Sequence, residues 1–251
     1  MTGYRSIADD LRAAITSGEY QPGQTIPTLD ELQDRYQVGK ETARRAVAIL
    51  QAEGLVVPIR RRGTVVRDRT PVRLSVARYR DMLAAPGGLG PWETATARQG
   101  ISGRTDLISV EQRPADAEIS ALLDVPAGTM TIHRLQHMFA GDRVTQIQQT
   151  WLPLSLAEGT PLTSTGKIVG GVYRALAGLG RPPASAREIV TSRMPWRDEA
   201  EVLRLEIGSP VLTVTRVTVD RAGTPLTVTQ AVMVGDRVQL VYDQAFQTKQ
   251  G

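Results

Sequence analysis

Residues 26–66 read IPTLDELQDRYQVGKETARRAVAILQAEGLVVPIRRRGTVV, and the fold of the N-terminal part follows from this stretch. Thr28-x-x-Glu31 is a capping box, in which the threonine hydroxyl and the glutamate carboxylate each satisfy an amide that a helix start leaves unpaired. Leu29, Leu32 and Tyr36 form the inner face of that helix. A tight turn at Gln37-Val38-Gly39 follows, with Gly39 where a Ser or Thr cap would be stronger. The spacing of Ala43, Val47 and Leu50 predicts a second helix from Lys40 to Glu53. Beyond Gly54, Leu55–Ile59 and Thr64–Val66 read as two short strands joined through Arg60, Arg61, Arg62 and Gly63.

Working outward, Tyr4 to Ser17 sets Ile7, Leu11 and Ile15 on one helical stripe that stops at Gly18. Net charge is +4, but unevenly placed. Residues 1–39 hold three basic and six acidic residues, and residues 40–73 hold nine basic and three acidic ones. Scattered arginines usually mean a solvated surface, whereas a cluster in one short window favours a polyanionic partner. Lys40, Thr42, Arg44 and Arg45 stand at the outward end of the second helix, which suits the DNA major groove. Arginine is the side chain best shaped for guanine O6 and N7. Glu41 beside them either accepts from a cytosine amine or favours the helix N-terminus. The three arginines of the turn suit phosphate or minor-groove contact.

A chain of 251 residues is long for one domain, at roughly 100–200 residues each. Apolar content of 41% supports real cores. No apolar run reaches the about 18 residues of a membrane span. The N-terminus lacks an apolar signal core, so a soluble, cytoplasmic protein is expected. The absence of cysteine excludes disulfides, zinc fingers and thiol nucleophiles.

Residues 123–134, LDVPAGTMTIHR, recur 82 residues later as LEIGSPVLTVTR at 205–216. Each copy follows a helical stretch and leads into a β-hairpin, turning at Gly141-Asp142-Arg143 or Arg221-Ala222-Gly223, with Val144–Leu152 and Pro225–Val234 as second strands. The repeat predicts an α+β domain: one antiparallel sheet of two pseudo-symmetric halves with helices on one face. Val172–Leu179 reads as a short apolar helix between the copies. Residues 86–91, PGGLGP, read as a mobile loop, and Trp92 beside it serves either as an anchor or as a lid over a pocket.

The N-terminal stretch resembles the winged helix-turn-helix of the GntR family of bacterial transcription regulators. Ile26-Pro27-Thr28, Val38-Gly39-Lys40-Glu41-Thr42-Ala43-Arg44-Arg45-Ala46, Glu53-Gly54-Leu55 and Arg61-Arg62-Gly63-Thr64 match its pattern at the right spacings. The DNA-contacting set this implies is Thr28, Lys40, Glu41, Thr42, Arg44, Arg45, Arg60, Arg61, Arg62, Gly63 and Thr64. Asp30, Gly39 and Glu41 depart from the pattern, which puts the family's usual operator in doubt.

The C-terminal part resembles the UTRA effector-sensing domain of the HutC subfamily, through Leu123 to Gly128, Arg134, Trp151-Leu152-Pro153, Tyr173 and Gly235-Asp236-Arg237. That resemblance implies a fold like chorismate lyase without catalysis, a homodimer, and a small-molecule effector pocket. The implied pocket residues are Trp92, Arg134, Gln136, Gln148, Tyr173, Thr227 and Met233. Gln136, Gln148, Thr227 and Met233 replace an arginine, two glutamates and a tyrosine common in the family. The implied pocket is less charged than the sugar-phosphate type and leans toward a neutral or more apolar ligand. Arg134 is either a ligand anchor or half of an ion pair, since Arg216 holds the equivalent place.

An enzyme is the first rival. His133 and His137 are the only histidines; at this spacing on a strand they share no helix face for a metal, and no phosphate loop or nucleophile elbow is present. The second rival is a ligand-independent DNA-binding or plasmid-maintenance protein. The expectation is therefore a winged helix-turn-helix over 1–69, a linker over 70–75 and an effector-binding, dimerising domain over 76–251. Double-stranded operator DNA and a small-molecule effector are the expected partners, with no membrane, catalytic residues, metal or cofactor.

Overall fold

A computed structural model describes residues 3–67, 71–76, 79, 89–166, 168–205 and 208–243. The chain divides into two compact units, Met1–Thr70 and Pro71–Gly251.

In the first unit, α1 (Tyr4–Ser17), α2 (Leu29–Tyr36) and α3 (Lys40–Ala52) precede an antiparallel pair, β1 (Val56–Ile59) and β2 (Gly63–Val66). Each helix buries the stripe that its spacing marks: Ile7 and Leu11 from α1, Leu32 from α2, and Ala43, Val47 and Leu50 from α3. A single Leu50→Ala change in such a filled site costs about 2–5 kcal/mol. The capping box forms: the Glu31 amide donates to Thr28 Oγ1 and the Thr28 amide to Glu31 Oε2. Gly39 starts α3 without a side-chain cap. The chain before α2 runs beside β2, with the Gly23 amide donating to the Val66 carbonyl and the Ile26 amide to that of Thr64. That third edge of the pair carries no sequence alternation and was not expected.

The second unit is a six-stranded antiparallel sheet. Its strands are β4 (Gly103–Pro114), β5 (Met130–Ala140), β6 (Arg143–Pro153), β7 (Ser185–Arg193), β8 (Val211–Val219) and β9 (Pro225–Val234), in the order β4-β5-β6-β9-β8-β7. Each half is strand, helix, hairpin. The helices are α5 (Ala117–Leu123) and α8 (Arg197–Leu203), and the halves meet at β6 and β9. The repeat is thus longer than its visible motif, because β4 and β7 begin 82 residues apart. Both are edge strands of half-buried and exposed residues without regular alternation, so neither shows the pattern that marks a half-buried strand.

α5 and α8 share one face, where Ile119 and Leu123 pack on Trp151 and Val228, and Leu203 packs on Ile147 and Val232. The other face is covered by α4 (Pro91–Ala97), the short α6 (Leu154–Ala157), a 3-10 turn (Pro161–Thr163) and α7 (Gly171–Gly178). Val72–Ser75, expected as part of a linker, is a strand (β3) that pairs in parallel with β10 (Val238–Val241). Of the loop expected over 86–91, residues 86–88 lie outside the described residues. Gly90 caps α4, where a Cβ would stand 2.7 Å from Glu93 Oε2.

Candidate functional site

Two surfaces collect the residues singled out above, one in each unit. On the first unit, Lys40, Glu41, Arg44 and Arg45 are exposed at the N-terminal end of α3, and Thr42 is half-buried. Glu41 joins the arginines: Arg44 donates to both its oxygens at 2.9 and 2.8 Å, and Arg45 Nε to one of them at 3.3 Å. The bond from Arg44 holds the Glu41 carboxyl below its usual range. The guanidiniums are therefore bundled by an acid, not splayed. Asp30, in the first turn of α2, accepts from Gln33 Nε2. The Thr28 hydroxyl is occupied within the capping box.

The β1–β2 turn presents Arg60, Arg61 and Arg62 to solvent. It closes with Arg61 at φ 64° and Gly63 at φ 98°, the left-handed region that a glycine enters at least cost. Arg62 donates to the Gly23 carbonyl at 2.6 Å, which ties it back to the body of the unit. Thr64 is half-buried in β2, where its carbonyl accepts from Ile26.

In the second unit a cavity of about 460 Å³ lies on the sheet face away from α5 and α8. Its floor follows period two: Arg134, Gln136 and Met138 from β5, Gln146, Gln148 and Thr150 from β6, and Thr229 from β9. Trp92, Glu93, Tyr79 and Tyr173 form part of its walls. Trp92 is buried and its indole N–H donates to the Phe139 carbonyl at 2.8 Å, so it anchors α4 to β5.

Arg134 is 2% exposed. Its Nη1 donates to the Leu162 and Ser164 carbonyls at 2.9 and 2.8 Å, its Nε has no partner, and burial lowers its pKa. No carboxylate meets it among the described residues. In the equivalent place, Arg216 bonds Glu188 at 2.8 Å, both side chains buried, and stacks on Tyr79. Arg134 is a cation with a cavity beside it and no counter-ion among the described residues.

Gln146 donates to Gln148 at 3.1 Å and Gln148 to Gln136 at 3.5 Å, leaving the buried Gln146 Oε1 without a partner. The hydroxyls of Tyr173 and Thr218 share a 2.5 Å hydrogen bond, and burial pushes the Tyr173 hydroxyl up.

Two expected pocket residues fall elsewhere. Thr227 is fully buried next to the Tyr173 hydroxyl, opposite Thr218, and Met233 belongs to the apolar cluster of Leu74, Trp92 and Val238. Both point to the cavity face of β9, but α7 covers one and α4 with β3 the other, so neither reaches the space between. Gln146, Thr150, Thr229 and Met138 were missed, although alternation outward from Arg134 and Gln148 marks three of them. Among the described residues no group of three acidic or histidine side chains is placed to hold a metal, and no helix is long and apolar enough to cross a membrane.

Residues 3–66 match the family of bacterial regulatory proteins called gntR, and residues 98–239 match the UTRA domain. An HTH-type transcriptional regulator of Streptomyces coelicolor is 29% identical, over 96% of this chain and 91% of its own. One from Rhizobium meliloti is 30% identical, over 94% and 93%. The transcriptional repressor NagR of Bacillus subtilis is 24% identical, over 95% and 93%. A solved GntR-family transcriptional regulator superposes with a TM-score of 0.66 at 27% identity, covering 97% of this chain and 98% of that one.

Proposed function

Because this chain belongs to the gntR family of bacterial regulatory proteins and carries a UTRA domain behind its DNA-binding unit, we propose that it is a homodimeric repressor released from a palindromic operator by a small-molecule effector. It is a transcriptional regulator and not an enzyme, as its families and relatives are. It acts in the cytoplasm, where operator DNA lies. The amino-terminal end of α3 enters the major groove, with Arg44 and Arg45 freed from Glu41 to reach guanine edges. Arg60 and Arg61 hold the flanking phosphates. Two such heads on a dimer address half-sites about one helical turn apart.

The observation that carries the effector reading is Arg134, buried against a cavity with no counter-ion among the described residues. An unpaired buried cation is costly, and a ligand with an acidic group would complete it. The ligand chemistry best supported is therefore one acidic group for Arg134 and polar edges for Gln136, Gln146 and Gln148. This reading differs from the neutral or more apolar ligand expected from the sequence. Effector binding acts on DNA only through its preference for one arrangement of the protein over another.

The test is operator release, read by fluorescence anisotropy, across a library of small carboxylates, phosphate esters and neutral analogues. Release is expected from an acidic member and is lost in Arg134→Met. An Arg134→Met protein that responds as the wild type does would sink the ligand assignment. Operator affinity that no compound alters would favour the ligand-independent DNA binder instead. For DNA, Arg44→Ala or Arg45→Ala should relax base preference by ~1–3 kcal/mol per lost bidentate contact. Equal losses on operator and random duplex would remove the base-reading role.

A further inference from the structure

The cavity of the second unit holds a second buried charge, opposite in sign to Arg134. Glu93, in the first turn of α4, is 8% exposed and lines the same space. An acid at this place in a helix can accept from the amide of the capping residue. Among the described residues neither that bond nor an ion pair reaches its carboxylate. A buried acid without a partner is costly for the same reason as a buried cation without one.

The two charges belong to different ends of the cavity. Arg134 is held at one end by the Leu162 and Ser164 carbonyls. α4 covers the other end, where Trp92 packs with Met138 and donates to the Phe139 carbonyl. Arg134 and Met138 stand four residues apart on β5, a rise of about 13 Å. The end under α4 is also rich in acceptors. Gln146 lies opposite Met138, and its buried Oε1 has no partner. Asp106 lines the cavity too, but its carboxylate is held by Arg104 at 3.2 Å. Glu93 is the acid left open.

We propose that the effector is zwitterionic, with an acidic group seated on Arg134 and, at its far end, an ammonium that donates to Glu93 and to Gln146 Oε1. The inference rests on the effector reading above and names the class of ligand. One molecule relieves both buried charges only if it carries both opposite charges itself. An ammonium suits the end under α4 because it donates hydrogen bonds and accepts none. The distance between the ends favours an amine well removed from the acid over an α-amino acid, whose two charges share one carbon.

The test is calorimetric titration of the full-length protein with matched probes. These are β-alanine, γ-aminobutyrate, ε-aminohexanoate and aminoethyl phosphate, each against the same acid without its amine. At least one amine-bearing probe should bind at least about tenfold tighter than its counterpart, the worth of one charged hydrogen bond. Glu93→Gln should erase that preference while the plain acid binds no worse, and Arg134→Met should weaken both members of the pair. The matched pairs on the wild-type chain decide the matter even if Glu93→Gln fails to fold. Acids that bind without preference for the amine overturn the zwitterion and leave the effector reading standing. A preference that survives Glu93→Gln overturns the role of Glu93. Binding by none of these probes overturns the zwitterion, and if the wider library of acids also fails to release operator, the effector reading falls with it.

Discussion

Arg134 and Arg216 stand 82 residues apart in the two copies of one repeat, on the same face of one sheet, yet their surroundings differ in kind. Across from Arg216 the β7 register places Glu188, and the buried pair is closed by the ring of Tyr79. Across from Arg134 the β4 register places Val110, and among the described residues the charge is met by two backbone carbonyls alone. The residue 82 positions before Glu188 is Asp106, but the register sets it beside His137 and it bonds Arg104. A duplicated unit has thus kept its scaffold in both halves and completed its charge in only one. A site needs an unfinished interaction, and here it lies in the half whose partner strand slipped.

Removing the acid from the finished half should have the largest effect. Glu188→Ala leaves Arg216 buried and unpaired, and the cost expected is about 3–5 kcal/mol in urea unfolding. A loss near that of a surface pair would mean that the halves do not differ as described. Next comes finishing the open half. Val110→Glu places a carboxylate across from Arg134, and acidic effectors should then release operator on the order of 10–100-fold less effectively, the worth of one charged hydrogen bond.

The halves also differ in pH response. His133 and His137 lie on β5 where the second half has Thr215 and Val219 on β8. Burial lowers both histidine pKa values below the ordinary one. His133 Nε2 donates to Gln149, and a proton on Nδ1 would be buried with no acceptor. Their contribution is complete above the unfolded pKa of about 6.5 and falls away as pH drops through it, because the unfolded chain takes up protons first. The urea midpoint should decline between about pH 7.5 and 5.5. A double His133→Gln, His137→Gln variant should flatten that decline, and an unchanged slope would assign it elsewhere. The smallest effect is expected for the stability of Arg134→Met. Two hydrogen bonds from a charged donor, about 1.5–3 kcal/mol each, are lost while an unpaired buried charge is relieved, so the two effects offset and the midpoint should move little.

Much of the DNA-binding unit was legible because its signals are local. A capping box, stripes three and four residues apart, a glycine stop and an arginine turn each act within a few residues, and α1 to α3 form where they mark them. The extended segment alongside β2 did not show because backbone hydrogen bonds and one bridge, Thr25 to Val65, alone hold it there. In the larger unit the repeat announced the pseudo-symmetric sheet, but the polar edges β4 and β7 and the parallel β3–β10 pair did not show. The cavity was half legible: Arg134, Gln136, Gln148, Tyr173 and Trp92 line it, whereas Thr227 and Met233 lie beneath its covering elements.

The sequence by itself determined the helices of the DNA-binding unit, the clustering of positive charge upon it, and the duplicated sheet, because propensity, capping and alternation operate over neighbouring residues. Only the tertiary structure decided which of two equivalent arginines is satisfied. That depends on the register between strands, which sets Val110 and not Asp106 across from Arg134, and on which loop carbonyls fold over the cavity. A slip of one residue turns every side chain to the other face, so charge partners across a sheet are settled by packing and not by any local pattern.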